Sequence, residues 1–295
     1  MRKFYVLVFL AIFLASCTAV RYTSMARFAS PEVIKLIDEH VVSLAVYYTM
    51  GDEEYQRRIT RRQTSGTWRE GDMSFRFLEE VFLVKTDQVV NGILQKCIAY
   101  LGSGALMTSE GHPGSYVLTV NHLLEHSRNT TSMKIWVFLD GIDHAIGADI
   151  VAKSGDDMPS NDYAVLKLRE ILDDRPGLKI TDVEVAKGEK VIYAGSVGGT
   201  AFLSRYCYVT TFRDFFRKDA QGGLILTRWE SFKFWTLYAG SGNGDSGGLV
   251  CKTDGTLTTV MYCGITIHGH NYTFANPLSM LMDFLEKHDL AWIGK

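Results

Sequence analysis

The spacing of apolar residues along the chain changes character three times. An unbroken apolar run covers residues 4–15 and breaks at Ser16-Cys17. Ser30-Pro31-Glu32 then supplies a capping serine, proline at the first helical position and an acid in the first turn. Val33, Ile34, Ile37, Val41, Leu44 and Tyr48 follow at helical spacing and predict a helix to about Met50. Glu53 and Glu54 each have an arginine four residues on, at Arg57 and Arg58, with Arg61 and Arg62 beyond. That order predicts a second helix, salt-bridged and solvated.

From about Phe75 short apolar or alternating segments recur, separated by Gly, Asp, Asn and Ser. They cover 96–101, 105–108, 116–120, 134–139, 148–152, 163–168, 190–195, 204–211, 223–229, 247–251, 258–267 and 273–275. Many strands with few helices between them predict an all-β sandwich or barrel. Asp254-Gly255 between two of these segments is a hairpin signal. A last helix is predicted over 277–288, and no internal repeat or low-complexity segment interrupts the series.

Composition narrows the class. The 295 residues are 46 % apolar and 22 % charged, the balance of a globular chain with a sizeable core. Disorder, collagen-like repeats and a disulfide-scaffold miniprotein are excluded. Lys and Arg total 31 against 33 Asp and Glu, a net −2 that provides no global positive field and argues against nucleic acid as a partner. Twenty-seven glycines against five prolines suit the tight turns of a short-stranded β protein.

The N-terminus reads as an export signal. Arg2 and Lys3 precede the apolar run, which is too short to cross a bilayer core needing roughly 20 helical residues. Leu14-Ala15-Ser16-Cys17 resembles the bacterial lipobox, which implies a signal over 1–16 and lipidation of Cys17. Removing 1–16 leaves 29 basic against 33 acidic residues, or −4. Thr18, rather than Asp, implies by the same resemblance the outer membrane of a Gram-negative cell. Near such an anchor the four arginines of the second helix are also candidates for anionic headgroups. Export makes disulfides among Cys97, Cys207, Cys251 and Cys263 one reading and buried thiols the other. No Cys-x-x-Cys supports a zinc or thioredoxin-like site.

Three motifs carry the chemistry. Thr119-Val120-Asn121-His122 ends an apolar strand, Asp162-Tyr163-Ala164-Val165-Leu166 opens another, and Gly242-Asn243-Gly244-Asp245-Ser246-Gly247-Gly248 forms a glycine-rich loop. Singly, each is an ordinary strand end, strand start or turn. In the order His, Asp, Ser, spaced by 40 and 84 residues, they form a catalytic set. A serine hydroxyl must lose its proton as it attacks; a neutral imidazole takes it, and a carboxylate on the other ring nitrogen fixes the tautomer. Glycines around Ser246 let the Gly244 and Ser246 amides converge on one oxyanion, and losing one such donor costs about 3–4 kcal/mol of barrier in comparable proteases.

With these motifs the sequence resembles the chymotrypsin-like serine peptidases, and within them the high-temperature-requirement (Deg) branch. The likeness covers residues 96–277 and includes Gly102-Ser103-Gly104-Ala105, the 188–195 segment from Gly188 to Gly195, and Phe274-Ala275-Asn276-Pro277. It implies a mostly β fold of two six-stranded antiparallel barrels, here with an N-terminal helical segment and a C-terminal helix. The expected divisions are a signal over 1–16, a tether and helical segment over 17–90, and a peptidase domain over 91–295. It also implies a serine endopeptidase acting on proteins or peptides without metal or cofactor. His122 is then the base, Asp162 its orienter, Ser246 the nucleophile, and the Gly244 and Ser246 amides the oxyanion hole. No chain is left after the barrels for a PDZ domain.

Departures from the pattern are specific. Leu249 stands where the family usually has proline, and Ile267 where a serine commonly supports the catalytic aspartate. No Arg-Ile-Val-Gly-Gly site supports a trypsin-type zymogen switch. Gly240 replaces the acid that binds Lys or Arg in trypsin-like pockets, and Thr266 replaces the histidine of glutamate-preferring relatives. His268, with His270 nearby, is the remaining pocket candidate, and a medium-sized apolar P1 residue is the default. An α/β-hydrolase would need Ser, acid, His in that order, but only 49 residues follow Ser246. The other alternative is a protease-fold module that binds peptide without cutting it.

Overall fold

A computed structural model describes residues 29–65, 88–90, 93–112, 114–154, 162–175, 177–196, 202–214, 216–218, 224–226, 233–237, 245–267 and 270–295. The expectations for the signal, Cys17, Gly240, Gly244 and His268 therefore lie outside the described residues.

The first helix starts as the sequence predicts. Ser30 caps it, its side chain accepting the Val33 N–H at 3.3 Å. This helix, α1 (Pro31–His40), is shorter than expected: Val41 is already extended, and the next ten residues are a strand, β1 (Val41–Met50). Every residue of β1 is buried. Val41, Val42, Leu44, Val46, Tyr48 and Met50 enter the main core, while Ala45 and Tyr47 pack with Cys97, Ala99 and Phe138 on the other face. A strand covered on both faces reads as a continuous apolar run, so residues at helical spacing can be picked out of it without a helix being present. The β-branched and aromatic content of the run favours the strand.

β1 belongs to the first barrel, although the sequence reading assigned it to a helical segment ahead of the barrels. The other strands of this sheet are β2 (Gln88–Val90), β3 (Ile93–Met107), β4 (Tyr116–Thr119), β5 (Ser132–Phe138), β6 (Ile146–Lys153) and β7 (Ala164–Leu168). Their order is β1-β5-β6-β7-β4-β3-β2, and β1 also pairs with β3, so six strands close into a ring with β2 outside it. The two segments expected over 96–101 and 105–108 are one continuous strand, β3. Full burial of six β1 side chains contributes on the order of 10 kcal/mol, comparable to the net stability of a typical domain at about 5–15 kcal/mol.

The second barrel is closed in the order β12-β15-β14-β13-β8-β9. Its strands are β8 (Lys190–Ser196), β9 (Phe202–Asp214), β12 (Lys233–Leu237), β13 (Leu249–Lys252), β14 (Leu257–Ile267) and β15 (His270–Ala275). A small ribbon of β10 (Phe216–Lys218) and β11 (Leu224–Leu226) branches between β9 and β12. The sequence reading missed β12, which pairs with both β9 and β15. The Asp254-Gly255 turn joins β13 to β14 as expected, with Gly255 at φ +90°.

Helices tie the barrels together. Val33 and Leu36 of α1 lie against the Gly255 turn of the second barrel, and the chain then enters β1 of the first. At the C-terminus α3 (Leu278–Lys287) buries Leu278, Leu281, Phe284 and Leu285. Between α1 and α3 in the chain comes α2 (Asp52–Ser65). Cys97 and Cys251 are buried free thiols, so neither is in a disulfide, and burial pushes the Cys251 thiol up. Cys207 and Cys263 fall on β9 and β14.

The charge pairing on α2 differs from the expected solvated pattern. Glu54 accepts from Arg57 at 2.7 and 2.8 Å and from Arg58 at 2.6 Å. Arg58 is buried and donates onward to the Arg128 carbonyl at 2.6 Å. These guanidinium hydrogen bonds hold the Glu54 carboxyl at about 2. A carboxyl lowered on folding stabilises the fold above its unfolded value of about 4.3 and loses that contribution as pH falls toward 2. Glu54→Gln is therefore expected to lower the urea midpoint at pH 7, with the difference from wild type shrinking below about pH 4 and vanishing only below about pH 2. A difference that persisted unchanged in acid would assign the effect to packing instead.

Candidate functional site

The site is assembled where β4 ends. Tyr116 to Thr119 are all buried between β3 and β7, and the chain turns at Val120 into a short 3-10 segment, Asn121–Ser127. The His122 ring therefore leaves the barrel at its rim and keeps 27 % side-chain exposure. Two outside contacts fix this segment. The Tyr48 hydroxyl of β1 donates to the Leu123 carbonyl at 2.8 Å, and Arg58 holds Arg128 just past the segment's end. The N-terminal elements thus support the histidine turn.

Asp162 stands before β7 with no exposed surface. Its Oδ1 accepts the His122 main-chain N–H at 2.7 Å and its Oδ2 accepts the ring Nδ1–H at 2.5 Å. Because a carboxylate oxygen only accepts, this pairing puts a ring hydrogen on Nδ1, which in the neutral imidazole makes Nε2 the acceptor nitrogen. The next residue, Tyr163, is buried against Phe284 of α3, its hydroxyl 3.3 Å from the Thr259 hydroxyl of the second barrel. Burial pushes the Tyr163 hydroxyl up, so it serves as a neutral hydrogen-bonding group.

Ser246 lies in the turn before β13 and is half-buried. Gly248 N–H closes the turn on the Asp245 carbonyl at 2.8 Å, and Gly247 N–H donates to Met261 of β14 at 3.0 Å. The turn is bound to the first barrel through Ser103 of β3. Ser103 N–H donates to the Ser246 carbonyl at 2.7 Å, while its own carbonyl accepts the Thr119 hydroxyl at 2.7 Å. Thr119 is three residues before His122, so one residue, Ser103, links the serine turn to the histidine strand. Gly247 makes this approach feasible: it has φ +84°, and a Cβ there would fall 2.1 Å from the Ser103 carbonyl oxygen. The adjacent Asp245 side chain is fully buried.

The structure thus brings His122 and Asp162 into direct contact and ties the Ser246 main chain into the same frame. Thr266 lies on β14 opposite Asn271, and Ile267 opposite His270. Leu249 is a buried β13 residue paired with Ala194 and Val260, a site that a leucine side chain fills. Sequence reasoning assigned no role to Ser43 or Ser196, read Tyr48 only as part of a helical face, and quoted Ser103 and Asn121 only as parts of motifs. The available signal was a lone hydroxyl inside an apolar strand, as in Val41-Val42-Ser43-Leu44, which requires a buried partner.

No family model and no curated protein matches the chain. Solved structures do match its fold. The Rv3671c protease from M. tuberculosis in its active form superposes with a TM-score of 0.55 at 17 % identity, covering 89 % of this chain and 86 % of that one. The HtrA-type protease AlgW with decapeptide gives a TM-score of 0.54 at 18 % identity, covering 87 % of this chain and 66 % of that one. These likenesses establish the chymotrypsin-like two-barrel fold.

The doubly bonded carboxylate makes a sharp prediction. In Asp162→Asn the carboxamide oxygen stays with the His122 main-chain N–H, and the NH₂ group then faces Nδ1. The ring must accept there and carry its hydrogen on Nε2 instead. Nitrogen-15 NMR of the His122 ring is expected to report this tautomer change near neutral pH without unfolding. Retention of the Nδ1–H tautomer would contradict the geometry.

Proposed function

We propose that the chain is a serine endopeptidase that cleaves proteins or peptides through Ser246, His122 and Asp162. The observation that carries the reading is the His122–Asp162 pair, which directs the Nδ1 hydrogen to the carboxylate and so suits Nε2 to act as a base, in a frame that also holds the Ser246 turn. In this mechanism Ser246 Oγ attacks the scissile carbonyl carbon while its proton passes to His122 Nε2. The carbonyl oxygen becomes an oxyanion, held by the Gly244 and Ser246 N–H groups. Collapse breaks the C–N bond, and His122 returns the proton to the leaving amine. A water, deprotonated by His122, then hydrolyses the acyl-enzyme and regenerates Ser246.

A polypeptide substrate suits the two-barrel fold, and AlgW has been solved with a decapeptide. Gly240 offers no acid for a basic P1 side chain, which favours a medium-sized apolar residue, with Thr266 and His268 as pocket candidates. The chemistry requires no metal, so a chelator is expected to leave the rate unchanged. The enzyme works outside the cytoplasm, anchored by lipid on Cys17.

A fluorophosphonate, which bonds covalently to an activated serine, is expected to label the protein from Thr18 onward at Ser246. Ser246→Ala and His122→Ala should abolish labelling and lower peptide turnover by about 10⁶-fold. Absence of labelling in folded wild-type protein would favour the peptide-binding module. Anchoring is tested on the full chain, where Cys17→Ser should move the protein from the detergent phase to the aqueous phase; unchanged partitioning would reject the anchor.

A further inference from the structure

We propose that Asn121 is a positioning residue that locks the His122–Asp162 pair, acting through Ser154. The inference rests on the peptidase reading above. Asn121 is 1 % exposed, and its Nδ2 group spends both hydrogens inside the protein. One goes to the Ser154 carbonyl at 3.0 Å and the other to Glu125 Oε1 at 2.7 Å. The opposite amide orientation would turn Oδ1 toward a carbonyl and a carboxylate, so its neighbours fix the assignment.

Ser154, itself buried, is bonded twice to Tyr163. Its N–H donates to the Tyr163 carbonyl at 2.9 Å, and its Oγ accepts the Tyr163 N–H at 3.2 Å. Tyr163 follows Asp162, and Asp162 holds the main chain and ring of His122, the residue after Asn121. The bonds therefore close a ring: Asn121, Ser154, Tyr163, Asp162, His122. This ring joins the turn after β4 to the chain on both sides of residues 155–161. Opening it at Asn121 removes the one hydrogen-bonded link, besides the pair's own two bonds, that this ring provides between the histidine turn and the chain carrying Asp162.

The state of the Asn121 carbonyl supports the role. Among the described residues its Oδ1 has no donor, and a buried acceptor without a partner costs stability. An apolar residue of similar size would avoid that cost. What the amide supplies is two directed donors, and one of them serves the chain that carries the catalytic carboxylate.

The test is the second-order rate of fluorophosphonate labelling at Ser246, followed across the histidine titration range, with Ser246→Ala as blank. Asn121→Ala is expected to slow labelling about 10- to 100-fold, as small misplacements do. It should also shift the midpoint of the pH profile and weaken the downfield NMR signal of the His122 Nδ1 proton. Ser154→Ala should move all three readouts the same way. Ser154→Ala removes only the Oγ acceptor and keeps the main-chain bonds of Ser154 to Asn121 and Tyr163, so its effect should be the smaller one. The double variant should be little worse than Asn121→Ala, which already opens the ring. A wild-type rate and pH midpoint in folded Asn121→Ala overturns the proposal. If that variant does not fold, the same result in Asn121→Leu, which keeps the bulk and removes both donors, overturns it. Wild-type protein that resists labelling overturns the peptidase reading instead, and the His122 proton signal then decides separately whether Asn121 holds the pair.

Discussion

Ser103 is the point on which the relative placement of the two barrels depends. Its N–H binds the Ser246 carbonyl, its carbonyl takes the Thr119 hydroxyl, and its Oγ accepts the Ser196 N–H of β8 at 2.7 Å. The Ser43 hydroxyl of β1 reaches Ser196 Oγ at 2.5 Å. Ser43, Ser103, Thr119 and Ser196 are buried, so their groups cannot turn to water if a neighbour is lost. Breaking one bond would strand a buried donor or acceptor at about 1–3 kcal/mol. The network therefore specifies one docking of β3 against β8 and the Ser246 turn, where apolar packing alone would tolerate a slide.

Against that fixed seam the proposed chemistry needs little further construction. His122 and Asp162 come from the first barrel, Ser246 from the second, and the seam runs between them. The N-terminal elements complete the frame. β1 supplies Ser43 to the seam and Tyr48 to the histidine turn, and α2 supplies Arg58 to its far end. A region that looks like an appendage in the sequence is thus built into the support of His122.

The sequence made the candidate site legible because His122, Asp162 and Ser246 sit in local motifs whose residue types have few other uses in that order. It also disclosed the turns and most strands, since period-two patterns and glycine-bearing turns are local signals. β1 was misread because a strand buried on both faces has no alternation to reveal it. β12 was missed because Lys233-Phe234-Trp235-Thr236-Leu237 is too short to show a period. The supporting bonds of Ser103, Asn121 and Ser154 are long-range, and single residues carry no spacing to predict them. The arginines of α2 illustrate the same limit: their i, i+4 pattern suggested a solvated face, yet Arg58 is drawn inward by a carbonyl seventy residues away.

The measurement that bears most directly on the whole account is a crystal structure of the protein after reaction with a fluorophosphonate. The account predicts phosphorus bonded to Ser246 Oγ and the phosphoryl oxygen between the Gly244 and Ser246 N–H groups. It also predicts His122 Nε2 turned to the adduct, with Nδ1 still on Asp162 and the Ser103–Ser246 bond intact. An adduct on another residue, or a Ser246 adduct whose oxygen points away from those amides with His122 detached from Asp162, would contradict it.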